Sequence, residues 1–111
     1  MKQESEIQEK VTLYASSIGM IPVRINVVGR KGWPDYGYGY KGRMVFIEYK
    51  RPGEKPEPLQ SYVHKQLNHC GFSVWVVDDI NEGKRALDLW KGLIDNESNQ
   101  LARLRQDNHR D

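Results

Sequence analysis

The sequence has one cysteine, no long apolar run and no hydrophobic opening segment, and each shortage closes off a class of protein. Cys70 alone cannot build a disulfide framework, and its solitude fits a reducing compartment. Its place on the apolar side of a predicted helix marks it as a core thiol. No stretch approaches the roughly 20 apolar residues that a membrane crossing requires, so no membrane is expected as a partner. Met1-Lys2-Gln3-Glu4-Ser5-Glu6 lacks the apolar centre of a secretion signal, which points to the cytoplasm. There is no internal repeat and no helix-turn-helix or zinc finger to read bases. At 111 residues the chain has room for one modest core and not for a large multi-layer enzyme.

What is present is an apolar fraction of 38% with 10% aromatics, enough for a packed domain rather than a disordered adaptor. The formal net charge is only +2. Its distribution says more. Between Arg24 and Lys65 nine Lys or Arg residues stand against the four acids Asp35, Glu48, Glu54 and Glu57, while the remainder is slightly acidic. A basic middle enclosing a few acids suits a polyanion such as nucleic acid. An ordinary solvated surface carries the same charges equally well.

Ile7, Val11, Tyr14 and Ile18 fall on one face of a helix from about Glu4 to Ser17, stopped by Gly19. Ile21 to Val28 reads as a strand, broken by Gly29. In Gly32 to Tyr40 the aromatics recur with a period of two around glycines, as in a strand closely approached by backbone or ligand. Lys41-Gly42 supplies a hairpin turn into the strand Arg43 to Lys50. Pro52, Gly53, Pro56 and Pro58 mark a loop that ends at a helix start, and Leu59, Val63, Leu67 and Cys70 give that helix its buried stripe. Phe72 to Val77 is a strand able to return parallel to the one bearing Glu48. Asn81 is placed to cap a third helix holding Ala86, Leu87, Trp90 and Ile94. The order α-β-β-β-α-β-α predicts an α/β fold, a mixed sheet flanked by helices. Residues 1–95 form the expected domain, and 96–111 a polar helix or frayed tail.

Glu48 and Lys50, separated by one residue in a strand, point to the same face. If the Asp35 segment pairs beside them, a second carboxylate comes close to the first. Two carboxylates, the Tyr49 carbonyl and water make the hard oxygen cage that Mg²⁺ prefers, with Mn²⁺ a natural substitute. Such a metal activates water and polarises a phosphodiester, and Lys50 orients the water or stabilises the charge that accumulates. The plain rival is a surface ion pair worth little, since Glu-x-Lys also arises by chance near strand ends.

Gly32-Trp33-Pro34-Asp35, then Phe46-Ile47-Glu48-Tyr49-Lys50-Arg51-Pro52, then Leu59-Gln60 resembles the restriction-endonuclease-like superfamily with its Pro-Asp and Glu-x-Lys signature. Within it the sequence is similar to the VRR-NUC family of small nuclease domains. Glu4, Arg24-Ile25-Asn26, Gly32 to Asp35, Glu48 to Lys50 and Gln60 match that family's pieces in order over about residues 4–78. The resemblance implies a restriction-endonuclease-like core, with Asp35 and Glu48 as metal ligands and Lys50 as the catalytic cation. It also implies Gln60 beside the phosphate or Lys50, and an amino-terminal glutamate in the site. Glu4 fits best for the last, with Glu6 and Glu9 as rivals; a carboxylate in a first helical turn also needs no function, because it suits the local dipole. His64 shares the helical face of Gln60, most simply as polar surface.

Arg24, Arg30, Lys31 and Arg51 flank the proposed centre and would contact backbone phosphates, which position rather than specify. Trp33 either stacks on a base or caps the core. The expected activity is metal-dependent endonucleolytic hydrolysis of DNA. A lone domain has little area for sequence readout, so structure selectivity or low specificity is favoured over a recognition sequence, and the resemblance raises branched DNA or a Holliday junction as substrate. A homodimer is expected, with Trp75, Trp90 and the Tyr36-Tyr38-Tyr40 row available for an interface. The alternatives are a catalytically inactive nucleic-acid-binding protein with the same fold, or a packaging or replication accessory factor acting through protein contacts.

Overall fold

The computed structural model describes residues 3–108, so Met1, Lys2 and the last three positions of the expected polar tail lie outside the described residues. The elements run α1 (Glu4–Ser17), β1 (Ile21–Arg24), β2 (Tyr36–Tyr40), β3 (Arg43–Tyr49), α2 (Pro58–His69), β4 (Ser73–Val77) and α3 (Ile80–Asn108). This is the order the sequence predicts. The strands form one sheet in spatial order β1-β2-β3-β4. The first three are antiparallel neighbours, and β4 lies parallel to β3 after the α2 crossover.

Alternation along the strands separates two faces. Tyr38, Val45, Ile47, Tyr49 and Val77 turn to one side, where they form the core with Ile7, Val11 and Ala15 of α1 and Leu87, Trp90 and Ile94 of α3. Each such fully buried apolar side chain contributes about 1.5–3 kcal/mol through removal from water. Glu48 lies on the opposite face, which α2 covers in part with Val63, His64 and Leu67. Lys41 and Gly42 both have positive φ, 48° and 77°, the two-residue geometry whose twist matches antiparallel strands. Register between β2 and β3 is therefore set by the turn.

Several expectations are corrected. The first strand stops at Arg24, four residues short of Val28, because its partner β2 begins only at Tyr36. Beyond Arg24 the Ile25 N–H still reaches the Asp35 carbonyl at 2.9 Å, and the chain then leaves the sheet with Val28 exposed. Only Tyr36–Tyr40 of the glycine-aromatic segment is strand. What crowds it is the Met44 side chain, whose sulfur would stand 2.9 Å from a Cβ at Gly37. Cys70 is exposed, not a core thiol, since the helix ends at His69 before its stripe can come round again. Asp79, not Asn81, caps α3: its carboxylate accepts the Glu82 N–H at 3.0 Å. Tyr38 and Trp90 are buried, and Tyr36 and Tyr40 pack against the core. Tyr38 and Trp90 are thus interior, Tyr36 and Tyr40 are half-buried, and Trp75 is the exposed member of the expected set.

Among the described residues no helix is long and apolar enough to cross a membrane. Among the residues whose burial is described, Ile94 is the last buried one of α3, and Leu101 and Leu104 are exposed on its distal turns.

Candidate active site

The turn at Lys41-Gly42 fixes which residues meet at the far end of the hairpin. The ladder ends with Tyr36 opposite Ile47, so the next pair in register is Asp35 and Glu48. Directly opposed residues present their side chains on the same face, with Cβ atoms about 4.5–5.5 Å apart. Asp35 is held there by its own chemistry: its Oδ2 accepts the Tyr49 N–H at 2.8 Å. A strand residue turns its N–H and C=O to the same edge, so the Tyr49 carbonyl faces the Asp35 side, away from β4. The neighbouring Lys50 N–H points the other way and donates to the Val77 carbonyl at 2.9 Å.

The loop before Asp35 is pinned by Gly32. Its φ of +91° suits glycine, and a Cβ there would stand 3.0 Å from both the Leu59 carbonyl oxygen and the Leu59 Cγ. The Gly32-to-Asp35 segment is thereby packed onto α2. Gly32→Ala should cost about 1–3 kcal/mol of stability through left-handed strain and collision with the helix backbone. A urea midpoint equal to the parent's would refute that account of the loop.

Glu48 is 2% exposed and Lys50 7%. Burial pushes the Glu48 carboxyl above the ordinary glutamate range; His64 acts against this, the Asp35 carboxylate reinforces it and Lys50 opposes it. Lys50 Nζ stands 3.7 Å from Glu54 Oε1. Glu4 is half-buried, and its carboxyl is also raised, chiefly by burial and next by Asp35, with Lys50, Glu54 and Arg51 acting on it as well. Glu6 and Glu9 are exposed. Of the three glutamates, Glu4 is the one whose carboxyl senses Asp35 and Lys50.

Gln60 engages the backbone at the start of α2. Its Oε1 accepts the Glu57 N–H at 2.9 Å, closing the first turn of α2, and among the described residues it makes no hydrogen bond to Lys50 or to either acid. The polar residue that α2 brings to the site is His64, one turn further on, 8% exposed with Nε2 3.6 Å from Glu48 Oε1. Neither of those two atoms has a hydrogen-bond partner. The sequence carried a signal for both facts. Glu57 to Gln60 has capping-box spacing, which takes up the glutamine, and the face then continues to His64.

Arg24, Arg30, Lys31 and Arg51 are all exposed, and among the described residues none forms an ion pair. Arg24 lies across from Tyr36, Arg30 and Lys31 sit in the loop leading to Asp35, and Arg51 follows Lys50. They border the end of the sheet where the acids meet. Trp33 is half-buried in the same loop.

Among the described residues no group of three or more His, Cys, Asp or Glu side chains is assembled for a metal ion. A hard cation bound through two carboxylates, one carbonyl and water needs only two such side chains. The Asp35–Glu48 pair, the orientation of Tyr49 and the orphaned Glu48 Oε1 fit that donor set.

No family model matches the chain. A curated relative, "Putative nuclease p44" of Acyrthosiphon pisum secondary endosymbiont phage 1, is 35% identical over 77 residues, which cover 68% of this chain and 83% of that protein. A solved structure described as a VRR_NUC domain superposes with a TM-score of 0.72 at 23% identity, covering 79% of this chain and 97% of its own. At that identity the second likeness establishes the fold.

Proposed function

The chain belongs to the VRR-NUC nuclease family, and we propose that it is a metal-dependent endonuclease that hydrolyses DNA phosphodiester bonds at the Asp35–Glu48 site. The observation that carries this reading is the acidic pair itself. Two carboxylates are opposed across a strand pair, one is anchored by a backbone amide at 2.8 Å, and the other is buried with an oxygen that nothing satisfies. Burying like charges costs stability, and a divalent cation, Mg²⁺ or Mn²⁺, offsets that cost. Asp35, Glu48 and the Tyr49 carbonyl would hold it. Bound there, the ion supplies Lewis-acid polarisation of the phosphate and a water of lowered pKa.

The remaining work falls to side chains. Lys50, on the same face as Glu48, directs its ammonium at the scissile phosphate and strengthens its grip as negative charge grows there. Glu4 adds a third carboxylate at the rim, positioned to orient the incoming water. Gln60 braces the helix start in this reading and lies outside the catalytic set. Arg24, Arg30, Lys31 and Arg51 hold flanking phosphates. Each of the four replaced by Ala should weaken DNA binding at all sequences alike and reduce the salt slope of log K by about 1. An unchanged slope in the quadruple variant would remove them from the interface. Trp33 beside them is available to stack on a base.

The domain proper ends near residue 95, with 96–111 an appended polar segment. A domain of this size offers little area for reading bases, which favours branched DNA such as a Holliday junction over a recognition sequence, and the chain acts in the cytoplasm as a homodimer. Exposed Leu89 and Leu93 of α3 support an interface on that helix. Light scattering at micromolar concentration should return twice the chain mass; a one-chain mass throughout would exclude the dimer.

A panel of labelled single-stranded, duplex, flap and four-way-junction DNAs with Mg²⁺ tests the activity. Cleavage that requires the metal and is fastest on branched substrates is the expected result. Binding without cleavage in either Mg²⁺ or Mn²⁺ would instead make the protein an inactive DNA-binding relative.

A further inference from the structure

Two side-chain polar atoms among the described residues are buried with no partner, and they lie next to each other: Glu48 Oε1 and His64 Nε2, 3.6 Å apart. Each such orphan costs about 1–3 kcal/mol if left unsatisfied. Neither side chain can turn to water. Glu48 is fixed in β3 beside Val76 of β4, one residue past the end of the β2 ladder, and His64 lies between the buried Val63 and Leu67 on a helix seated against Gly32. The separation is just beyond hydrogen-bond range, so a shift of about half an ångström joins them.

We propose that His64 is a positioning residue for Glu48. Its Nε2–H donates to Oε1 and thereby fixes the carboxylate plane, leaving Oε2 turned toward Asp35 and the metal. A neutral imidazole protonated on Nε2 suffices, so no change of charge is involved. Carboxylates that bind metals are commonly held by such an outer hydrogen bond, and losing it typically lowers metal affinity 10–100-fold. Here the need is sharper than usual, because Tyr49 N–H holds Asp35 while no backbone group holds Glu48 Oε1. The assignment rests on the reading of Glu48 as a metal ligand.

The test measures Mn²⁺ binding to the full chain without DNA, from the electron-paramagnetic-resonance signal of the free ion. The set comprises the parent, His64→Leu, His64→Asn, His64→Gln and the control Glu48→Gln, each with its unfolding midpoint recorded. Positioning predicts that Leu, and Asn with an amide too short to reach, weaken Mn²⁺ 10–100-fold. Gln, whose amide nitrogen reaches the place of Nε2, should recover most of the loss. If Glu48→Gln loses Mn²⁺ while all three His64 variants bind like the parent, the positioning role alone is wrong. If Glu48→Gln binds like the parent, the metal reading fails and takes the role of His64 with it. Imidazole-nitrogen coupling to Mn²⁺ in pulsed spectra of the parent, absent in an equally weakened His64→Gln, would overturn positioning in favour of direct ligation.

Discussion

Glu48→Gln should abolish cleavage, by at least a factor of about 10³, and at the same time make the metal-free protein harder to unfold. The two effects have one origin. Glu48 is buried at 2% exposure with Asp35 beside it, and its carboxyl is raised chiefly by that burial. A carboxyl whose native pKa lies above its unfolded value contributes stability in acid. The contribution is fully present below the unfolded pKa and is lost as pH rises through the native one. At neutral pH the ionised side chain is therefore a net cost, which an isosteric amide removes. A gain of about 1–2 kcal/mol is expected in chelator at neutral pH, or roughly 5 °C per kcal/mol in a chain of this length. The gap should close as the solution is made acidic. Added Mg²⁺ or Mn²⁺ should reverse the order, since only the parent gains stability from an ion that binds the native state. A Glu48→Gln protein that cuts at the parent's rate, or melts lower in chelator, sinks the assignment.

How far this centre could be read before the fold was known depends on which interactions are local. The opposition of Asp35 and Glu48 was legible because a two-residue turn at Lys41-Gly42 converts residue counting into register, and Met44-Val45-Phe46-Ile47 admits little besides a strand. The parallel return of β4 followed from a helix of sufficient length between two apolar runs. Glu4 was favoured by motif placement, and its half-buried position among charged neighbours distinguishes it from exposed Glu6 and Glu9. The errors arose where a local pattern met a tertiary limit. Apolar spacing carried the first strand to Val28, but a strand needs a partner and β2 supplies none beyond the Ile25–Asp35 bond. Helical spacing put Cys70 on the buried stripe, but α2 ends before it. Tyr36, Tyr38 and Tyr40 read as a surface row. Their alternation instead points them at the core, where the Tyr38 and Tyr49 hydroxyls share a 2.6 Å hydrogen bond and Thr12 Oγ1 lies 2.8 Å from the Tyr38 hydroxyl. His64 reads most simply as polar surface. The helical face it shares with Gln60 was legible, but the carboxylate that meets it comes from β3, and helical spacing alone cannot show that.

Removing Lys50 should also stop cleavage, yet move stability in the opposite direction, and that contrast separates a catalytic cation from a decorative ion pair. Lys50 is 7% exposed and acts electrostatically on both Glu48 and Glu4, lowering carboxyls that burial raises. Its ion pair with the more exposed Glu54, at 3.7 Å, is too loose to be its main role. Lys50→Met keeps much of the apolar stem and deletes only the charge, leaving buried acids without their compensating cation. A loss of about 1–3 kcal/mol at neutral pH follows, shrinking in acid as the carboxyls take up protons. Cleavage should fall by about 10²–10³ because the phosphate loses its ammonium partner as charge develops. Lys50→Arg should not restore it, since a planar guanidinium cannot occupy the space of a compact ammonium in so enclosed a site. Combining Lys50→Met with Glu48→Gln should give back part of the lost stability and none of the activity, the coupling expected of groups that share one site. Additive stability changes in that pair would mean that the two charges do not sense each other, and the shared centre would have to be abandoned.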